Sequence, residues 1–478
     1  MHMLLMRDEA RRRAAARTFR RHQSLIADIH TGRAVSDELR LQKLREILAA
    51  ASRAELYADS VPALLADDVR RLRPLAEVLG ALPLLPRSEL SAHSHAAFTV
   101  PLGEFLHYYE TSGTTGPASA APKADDDLIV NTVNIGEMWA RFLSPGDIAL
   151  ILIIGALAPA PYQFEKVFEY LGITSLRPTV DYIDGDYSKV LRLIDELSVN
   201  VFVGAPSRLL AMIQFAARHG LAVPRFDRLL LIAEQVGPAC RRHLSRLTGA
   251  EALVGSFGSS ETGTTAVTCE RGQLHLQLQS YVLELLDERG VRVVDGAADS
   301  GELVVTTLDL PGRPLLRYRT GDLIEVVGTP CACGLALPVM RTRGRESDVL
   351  AFAGGTVRQE DVESALWVDG SPDATVLNYM LVIHEDEIVC LVTTDVLPDN
   401  GWADRTASRI AHVFPAHHLT VRPVEVLSPL TTLSGDLGWK LSRVLDLGDI
   451  GAWSRLPTSL SHVVKETLES RGVMVCPR

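Results

Sequence analysis

Apolar positions in SDELRLQKLREILAAASRAELY (36–57) recur every three or four residues, the spacing that gives a helix one apolar stripe, and helical periodicity continues to about residue 75. Further on, short apolar runs alternate with helix-length stretches. ALILIIG (149–155), VNVFVGAP (199–206) and RLLLIAEQ (228–235) read as buried strands, and SRLLAMIQFAARHG (207–220) as a helix between two of them. Strand and helix in alternation predict a mainly parallel α/β sheet. From 281 the pattern becomes alternating strands with turn signals, YVLELLDERGVRVVDG, GELVVTTLDLPGRP and RYRTGDLIEVVG, which predict an antiparallel β subdomain over about 265–345. After GRESD (344–348), strands (MLVIHEDEIVCLVTT) mix with helices (ADRTASRIAHVF). The expected fold class is therefore α/β: a large amino-terminal domain over 1–345, built of mainly parallel α/β subdomains plus the β subdomain, and a smaller α+β carboxy-terminal domain over 346–478.

Composition narrows the function classes. A net charge of -11, from 48 basic and 59 acidic residues, gives no global attraction to nucleic acid or to an anionic membrane. The longest apolar run, IALILIIGALAPAP (148–161), is broken by Gly155 and Pro159 and is too short to span a bilayer. The arginine-rich start, MHMLLMRDEARRRAAARTFRRH, carries Asp8 and Glu9 and no small-residue cleavage site, so it reads as a solvated, amphipathic first helix and not as a targeting segment. Six cysteines with no signal peptide predict a reducing, cytoplasmic setting. The partners are expected to be small molecules or proteins.

The chemistry gathers in short motifs. In YYETSGTTGPASAAPK (108–123), Gly113 and Gly116 allow close backbone approach, and Thr111, Ser112, Thr114 and Thr115 offer hydroxyl donors, the ingredients of a polyphosphate grip. A Walker A loop is excluded because Pro117 follows Gly116. The alternative is a polar surface turn. Glu261, in SFGSSETG (256–263), offers a hard oxygen for Mg²⁺ between a strand and a glycine- and hydroxyl-rich turn, and Phe257 offers an apolar face for adenine. Asp322 ends the RYRTGDL turn (317–323), where a carboxylate can accept from both ribose hydroxyls. Cys269 and His275, with Cys331 and Cys333 of PCACG, could complete a closed Cys3His set for structural Zn²⁺; four reduced, partly buried side chains are the alternative.

TSGTTG, SFGSSETG, RYRTGDL, GRESD and GWKLSRVLD (438–446), in that order, together with LPLLPRSEL (82–90) and CACGLALPVMRTRGRESDVL (331–350), resemble the adenylate-forming ligase superfamily, and within it the phenylacetate-CoA ligase branch. The resemblance covers nearly the whole chain. It implies ATP- and Mg²⁺-dependent activation of a carboxylic acid, aromatic or heteroaromatic, to an acyl adenylate with release of pyrophosphate. Transfer to a thiol, of CoA or of a carrier protein's phosphopantetheine, follows. Transfer to an amine, and a degenerate homologue that binds nucleotide or acid without chemistry, stay open, as does a homodimer.

By the same resemblance the TSGTTG loop holds the β- and γ-phosphates, and Gly258, Ser259 and Ser260 join Phe257 around the nucleotide. Ala233 and Glu234 line the adenine side, and Arg345 meets the ribose with Asp322. Lys440, in register with RVLD (443–446), matches the catalytic lysine of a mobile carboxy-terminal domain that turns about a hinge near GRESD. Where relatives place a lysine directly after the second loop glycine, this chain has Pro117, with Lys123 further along.

Overall fold

A computed structural model of the chain describes residues 6–65, 73–111, 118–153, 157–180, 185–345, 348–352, 355–368, 374–427, 443–449 and 451–473. It is a mixed α/β fold with parallel and antiparallel sheets, divided into two compact units: Met1–Leu176 with Val254–Glu346, and Arg177–Leu253 with Ser347–Arg478.

The first unit starts with the arginine-rich helix Glu9–His30, capped by the Asp8 carboxylate, which accepts the Arg11 N–H at 3.0 Å. Its arginines 13, 17, 20 and 21 are exposed, while Ala15, His22, Ile26 and Ile29 are buried. That buried stripe packs on the Asp125–Trp139 helix, where His22 Nε2 donates to Asn134 Oδ1 at 2.8 Å and Arg11 pairs with Asp125. So the helix is amphipathic as expected, but solvated on one side only. The following helix, Asp37–Ala51, buries Leu44, Ile47, Leu48 and Ala51 against Leu308, Leu315, Leu316 and Tyr318. On its buried face Lys43 reaches both carboxylate oxygens of Asp309 (2.8 and 2.7 Å) and the Gln279 carbonyl (2.8 Å).

The centre of this unit is an eight-stranded antiparallel sheet. Its spatial order is Gly290–Val293, Tyr281–Asp287, Asp299–Thr307, Tyr318–Val327, Val339–Arg345, Leu274–Leu276, Gly263–Thr268, Ser256–Ser259. One face buries Leu276, Leu283, Leu285, Val305, Ile324 and Val326 in a single apolar cluster. The sheet begins at Ser256, upstream of the alternating pattern that marks the β subdomain in the sequence. LPLLPRSEL joins it as an extra rung: Leu85 N–H donates to Arg317 O and Arg319 N–H to Leu85 O, both at 2.9 Å. Also in this unit, Ile148–Leu152 runs parallel to Thr174–Leu176 across the helix Ala160–Leu171.

In the second unit Val201–Gly204 and Arg228–Leu231 pair in parallel, with the helix Pro206–Arg218 crossing between them. Proline at the first turn of this helix and of Pro238–Thr248 costs no hydrogen bond, since those N–H groups are unpaired in any helix. The carboxy-terminal part is a four-stranded mixed sheet in the order His418–Pro423, Glu387–Thr394, Val376–His384, Val444–Asp446. The helix Thr458–Ser470 seals its core through Leu460, Val464 and Leu468. Residues 177–253 group with this sheet for a visible reason: Thr393 Oγ1 donates to Gln214 Oε1 at 3.0 Å, and the His243 and Trp367 rings stack at 4.4 Å. Among the described residues no helix is long and apolar enough to cross a membrane.

Candidate active site

The segments on either side of the hydroxyl- and glycine-rich motif pair with each other. Residues 107–111 and 119–123 pair through Lys123 N–H to His107 O (2.9 Å), Ala121 N–H to Tyr109 O (2.7 Å) and Thr111 N–H to Ser119 O (3.0 Å). The Thr111 hydroxyl closes the neck by accepting the Ser119 N–H at 2.9 Å. Ser112, Gly113, Thr114, Thr115 and Gly116 lie outside the described residues. Lys123 sits at the base of the stem, buried, and its ammonium donates to the Ser260 carbonyl at 2.8 Å. Its charge is spent inside the protein.

Ser256–Ser259 and Gly263–Thr268 form a hairpin, with Ser260, Glu261 and Thr262 at its turn. Two glycines permit the turn. A Cβ on Gly258 would lie 2.1 Å from the Gly263 carbonyl, and Gly263 itself has φ +75°. Every carbonyl at the turn is held: Ser260 O by Lys123, Glu261 O by Arg313 Nη1 at 3.3 Å, and Thr262 O by the Tyr281 hydroxyl at 2.9 Å. Asn131 Oδ1 accepts the Thr264 N–H at 3.0 Å, and Ser259 N–H donates to the Thr262 hydroxyl at 3.2 Å. The Glu261 side chain is 4% exposed, and among the described residues its hydrogen-bond partner is the Tyr318 hydroxyl, donating to Oε1 at 3.3 Å. A single long hydrogen bond leaves acceptor capacity on a buried hard-oxygen group, which fits Mg²⁺.

Charges are crowded around this turn. Burial lowers the Lys123 ammonium to about 8, opposed by Asp127, and raises the Asp127 carboxyl to about 7, opposed by Lys123. Burial also raises the Tyr318 hydroxyl, reinforced by Glu261, so it stays a neutral donor. Arg313 is 3% exposed and is lowered by burial, with Glu261 the first charge acting against that. The sequence motifs point to neither Arg313, Tyr281 nor Asn131. Their contacts with the turn span 52, 19 and 133 positions, beyond any local pattern.

Asp322 and Arg345 are brought together. They face each other on neighbouring strands, and Arg345 Nε donates to Asp322 Oδ1 at 2.8 Å. The carboxylate is mostly buried and the guanidinium about two-fifths exposed, so the pair presents a fixed, partly accessible edge. Gly258 is exposed and Ser259 and Ser260 are half-buried, whereas Phe257 packs part of its ring against the sheet's apolar cluster.

Ala233 and Glu234 belong to the second unit. Ala233 is exposed with φ +69°, a strained conformation for a residue with a Cβ. The Glu234 carboxylate accepts from the Ser207 N–H at 3.0 Å and from its hydroxyl, and burial raises its carboxyl. Lys440 lies outside the described residues. Its register marker does not: Val444–Asp446 runs parallel to Leu381–Ile383, and the Arg443 guanidinium lies 5.0 Å from the Tyr379 ring centre and donates to the Tyr379 carbonyl at 3.2 Å.

The cysteines and histidine also converge. The ligand atoms of Cys269, His275, Cys331 and Cys333 all lie within 4.8 Å of one another. Cys269 Sγ is 3.9 Å from Cys331 Sγ, close to the ~3.8 Å separation set by Zn–S bonds of about 2.3 Å at a tetrahedral angle. Cys333 Sγ is 3.3 Å from His275 Nε2, while His275 Nδ1 hydrogen-bonds the Leu337 carbonyl at 2.8 Å. With Nδ1 as the donor, Nε2 turns its lone pair to the sulfurs. Arg141 braces the site, forked onto Glu270 (2.6 and 2.7 Å) and donating to the Cys333 carbonyl (2.8 Å).

No family model matches the chain. It is 27% identical over 307 residues to a phenylacetate-coenzyme A ligase of Thermus thermophilus, covering 61% of this chain and 66% of that protein. A phenylacetate-coenzyme A ligase of Escherichia coli is 26% identical over 321 residues, covering 63% and 68%. Each match thus spans about two thirds of the relative. The crystal structure of a 2-hydroxyisobutyryl-CoA ligase in the postadenylation state, in complex with 2-HIB-AMP, superposes with a TM-score of 0.70 over 91% of this chain and 92% of that one, at 18% identity. The fold likeness runs almost end to end, and in sequence the chain is similar to phenylacetate-coenzyme A ligases.

Proposed function

We propose that the protein activates a carboxylic acid with ATP and then hands the acyl group to a thiol. The acid's carboxylate oxygen attacks the α-phosphorus, the bond to pyrophosphate breaks, and an acyl adenylate forms; thiol attack on its carbonyl then releases AMP. The carrying observation is the Glu261 turn, a buried carboxylate on a backbone gripped from several sides, one of them Lys123 of the paired stem that flanks the TSGTTG motif. Rigid positioning of charge is what phosphoryl chemistry asks of a protein.

Glu261 would hold Mg²⁺, which neutralises phosphate charge when bound. The TSGTTG loop holds the β- and γ-phosphates, and Asp322 and Arg345 orient the ribose. Ala233, Glu234 and Phe257 flank the adenine, with Gly258, Ser259 and Ser260 beside it. Lys440, carried by a mobile domain over 346–478, stabilises charge on the reacting carboxylate. The acid is aromatic or heteroaromatic and the acceptor is CoA, by likeness to the phenylacetate-CoA ligases. The five described cysteines are all unpaired, which supports a reducing, cytoplasmic setting.

Incubation with ATP, Mg²⁺, CoA and a panel of aryl acids tests this. AMP, pyrophosphate and an acyl-CoA are the expected products. Adenylate without acyl-CoA moves the acceptor to a carrier phosphopantetheine or an amine; ADP in place of AMP contradicts the reading; nucleotide binding without product marks a degenerate homologue.

The Cys269, His275, Cys331 and Cys333 cluster is read as a closed structural zinc site. Its position between the Gly263–Thr268, Leu274–Leu276 and Val339–Arg345 strands gives it a role in locking the sheet that carries Glu261 and Arg345. Freshly purified protein should contain about one zinc per chain, and strong chelation should lower its thermal midpoint. Zinc-free protein with unchanged stability overturns this assignment.

A further inference from the structure

We propose that Lys123 and Arg313 are positioning residues for the Mg²⁺ site: two buried cations that fix the Glu261 turn by its backbone, so that the carboxylate is held ready for the metal. The inference rests on the reading of Glu261 as the Mg²⁺ ligand and goes beyond it.

The two cations approach neighbouring peptide groups. Lys123 Nζ is 2.8 Å from the Ser260 carbonyl and Arg313 Nη1 is 3.3 Å from the Glu261 carbonyl. Among the described residues neither side chain takes a carboxylate in a direct ion pair, although Asp127 and Glu261 lie near enough to act on both electrostatically. Each is presented rigidly. Lys123 ends the paired stem, bonded to His107 at 2.9 Å, just before the helix whose start is capped by the Asp127 carboxylate on Ala124 N–H at 2.8 Å. Arg313 sits in the PGRP turn, pinned by Thr99 N–H to Gly312 O at 2.9 Å and by the Tyr57 hydroxyl to Pro314 O at 3.0 Å.

A cation buried only to restrain a turn is an expensive choice, because burial disfavours its charge. Carbonyl dipoles repay part of that cost, and the nearby Glu261 carboxylate repays more. Arg313 keeps two further donors, Nε and Nη2, buried and without a hydrogen-bond partner among the described residues. Mutual restraint follows: the turn that carries the metal-binding carboxylate stays fixed while the carboxylate itself keeps a free face. Lys123 thus acts at one remove from the phosphates, where relatives put a lysine directly after the loop glycine.

Isothermal titration calorimetry of the full chain with ATP, with Mg²⁺ and then with EDTA, reads this directly as a ratio of affinities. The wild type should bind ATP more tightly with Mg²⁺. Lys123→Met and Arg313→Met should lose that advantage by on the order of tenfold, while affinity in EDTA stays the same, since one charge-assisted hydrogen bond to a buried group is worth roughly that much. Lys123→Arg and Arg313→Lys keep a buried cation and should recover part of it; they read the same ratio if the Met variants fail to fold. Variants that keep the wild-type ratio, or bind MgATP more tightly because a repelling cation is gone, overturn the positioning role. A wild type indifferent to Mg²⁺ removes the metal reading of Glu261 itself, and this inference with it.

Discussion

Glu261 is the residue on which the functional account turns, and its surroundings make the expected losses specific. Glu261→Gln keeps the shape of the buried side chain and removes the charge. Exchange of pyrophosphate into ATP should fall by roughly 100-fold or more, the scale for a preorganised electrostatic group. Tyr318→Phe removes one 3.3 Å hydrogen bond to the same carboxylate and should cost only about 3- to 10-fold. An equal loss in both variants would show that the hydroxyl, and not the carboxylate, carries the effect. Residues of this kind divide sharply by legibility. Residue type and setting point to the roles proposed for Glu261 and Asp322, the resemblance alone points to Arg345, and Asp322 and Arg345 meet across a strand pair. Arg313 sits in PGRP, which reads as a turn and nothing more. Its contact with the Glu261 carbonyl exists only after the sheet has closed.

Helices and strands follow their apolar spacing closely. SDELRLQKLREIL gives the expected helix, yet the spacing does not reveal that Lys43 lies on the buried face, where Asp309 and the Gln279 carbonyl meet it. Lys43→Met should leave the Asp309 carboxylate buried and unpaired and lower unfolding free energy by about 3 to 5 kcal/mol, with Lys43→Met/Asp309→Leu recovering much of it in urea titrations. EALVGSF reads as one strand. In the structure the chain splits at Gly255, so Glu251–Val254 and Ser256–Ser259 serve different sheets; an apolar run carries no mark of which sheet each half joins.

The helix Gln359–Leu366 supplies a pH test. Burial raises Glu363 to about 8, with Arg443 acting against it. The folded state therefore keeps a proton that the unfolded chain sheds near pH 4.5, so stability from this group is full below that pH and falls as pH rises toward 8. Glu363→Gln should flatten the loss of stability between pH 5 and 8. A wild-type stability that climbs across that interval by the same amount in both proteins contradicts the assignment.

At the scale of the whole molecule, the class was legible from the alternation of strand and helix, and the likeness to phenylacetate-CoA ligases from the ordered motifs. What the sequence could not show is the grouping of residues 177–253 with the carboxy-terminal segment, because it depends on contacts such as Gln214 with Thr393, 179 positions apart. The Cys3His cluster lies between these cases. CxC with a distant Cys and His is a weak spacing signal, and convergence to within 4.8 Å is what gives it weight. Lys440→Ala is predicted to abolish adenylation and to spare thiol attack on a supplied acyl adenylate; equal loss of both half-reactions in single-turnover assays contradicts its placement in the first step. The central claim, acid activation by adenylation, is tested most directly by carboxylate-dependent exchange of pyrophosphate into ATP across aryl, heteroaryl and amino acids. Exchange that requires a particular acid and disappears in Glu261→Gln and Lys440→Ala is the predicted result; ATP that binds but exchanges with none of these acids contradicts it.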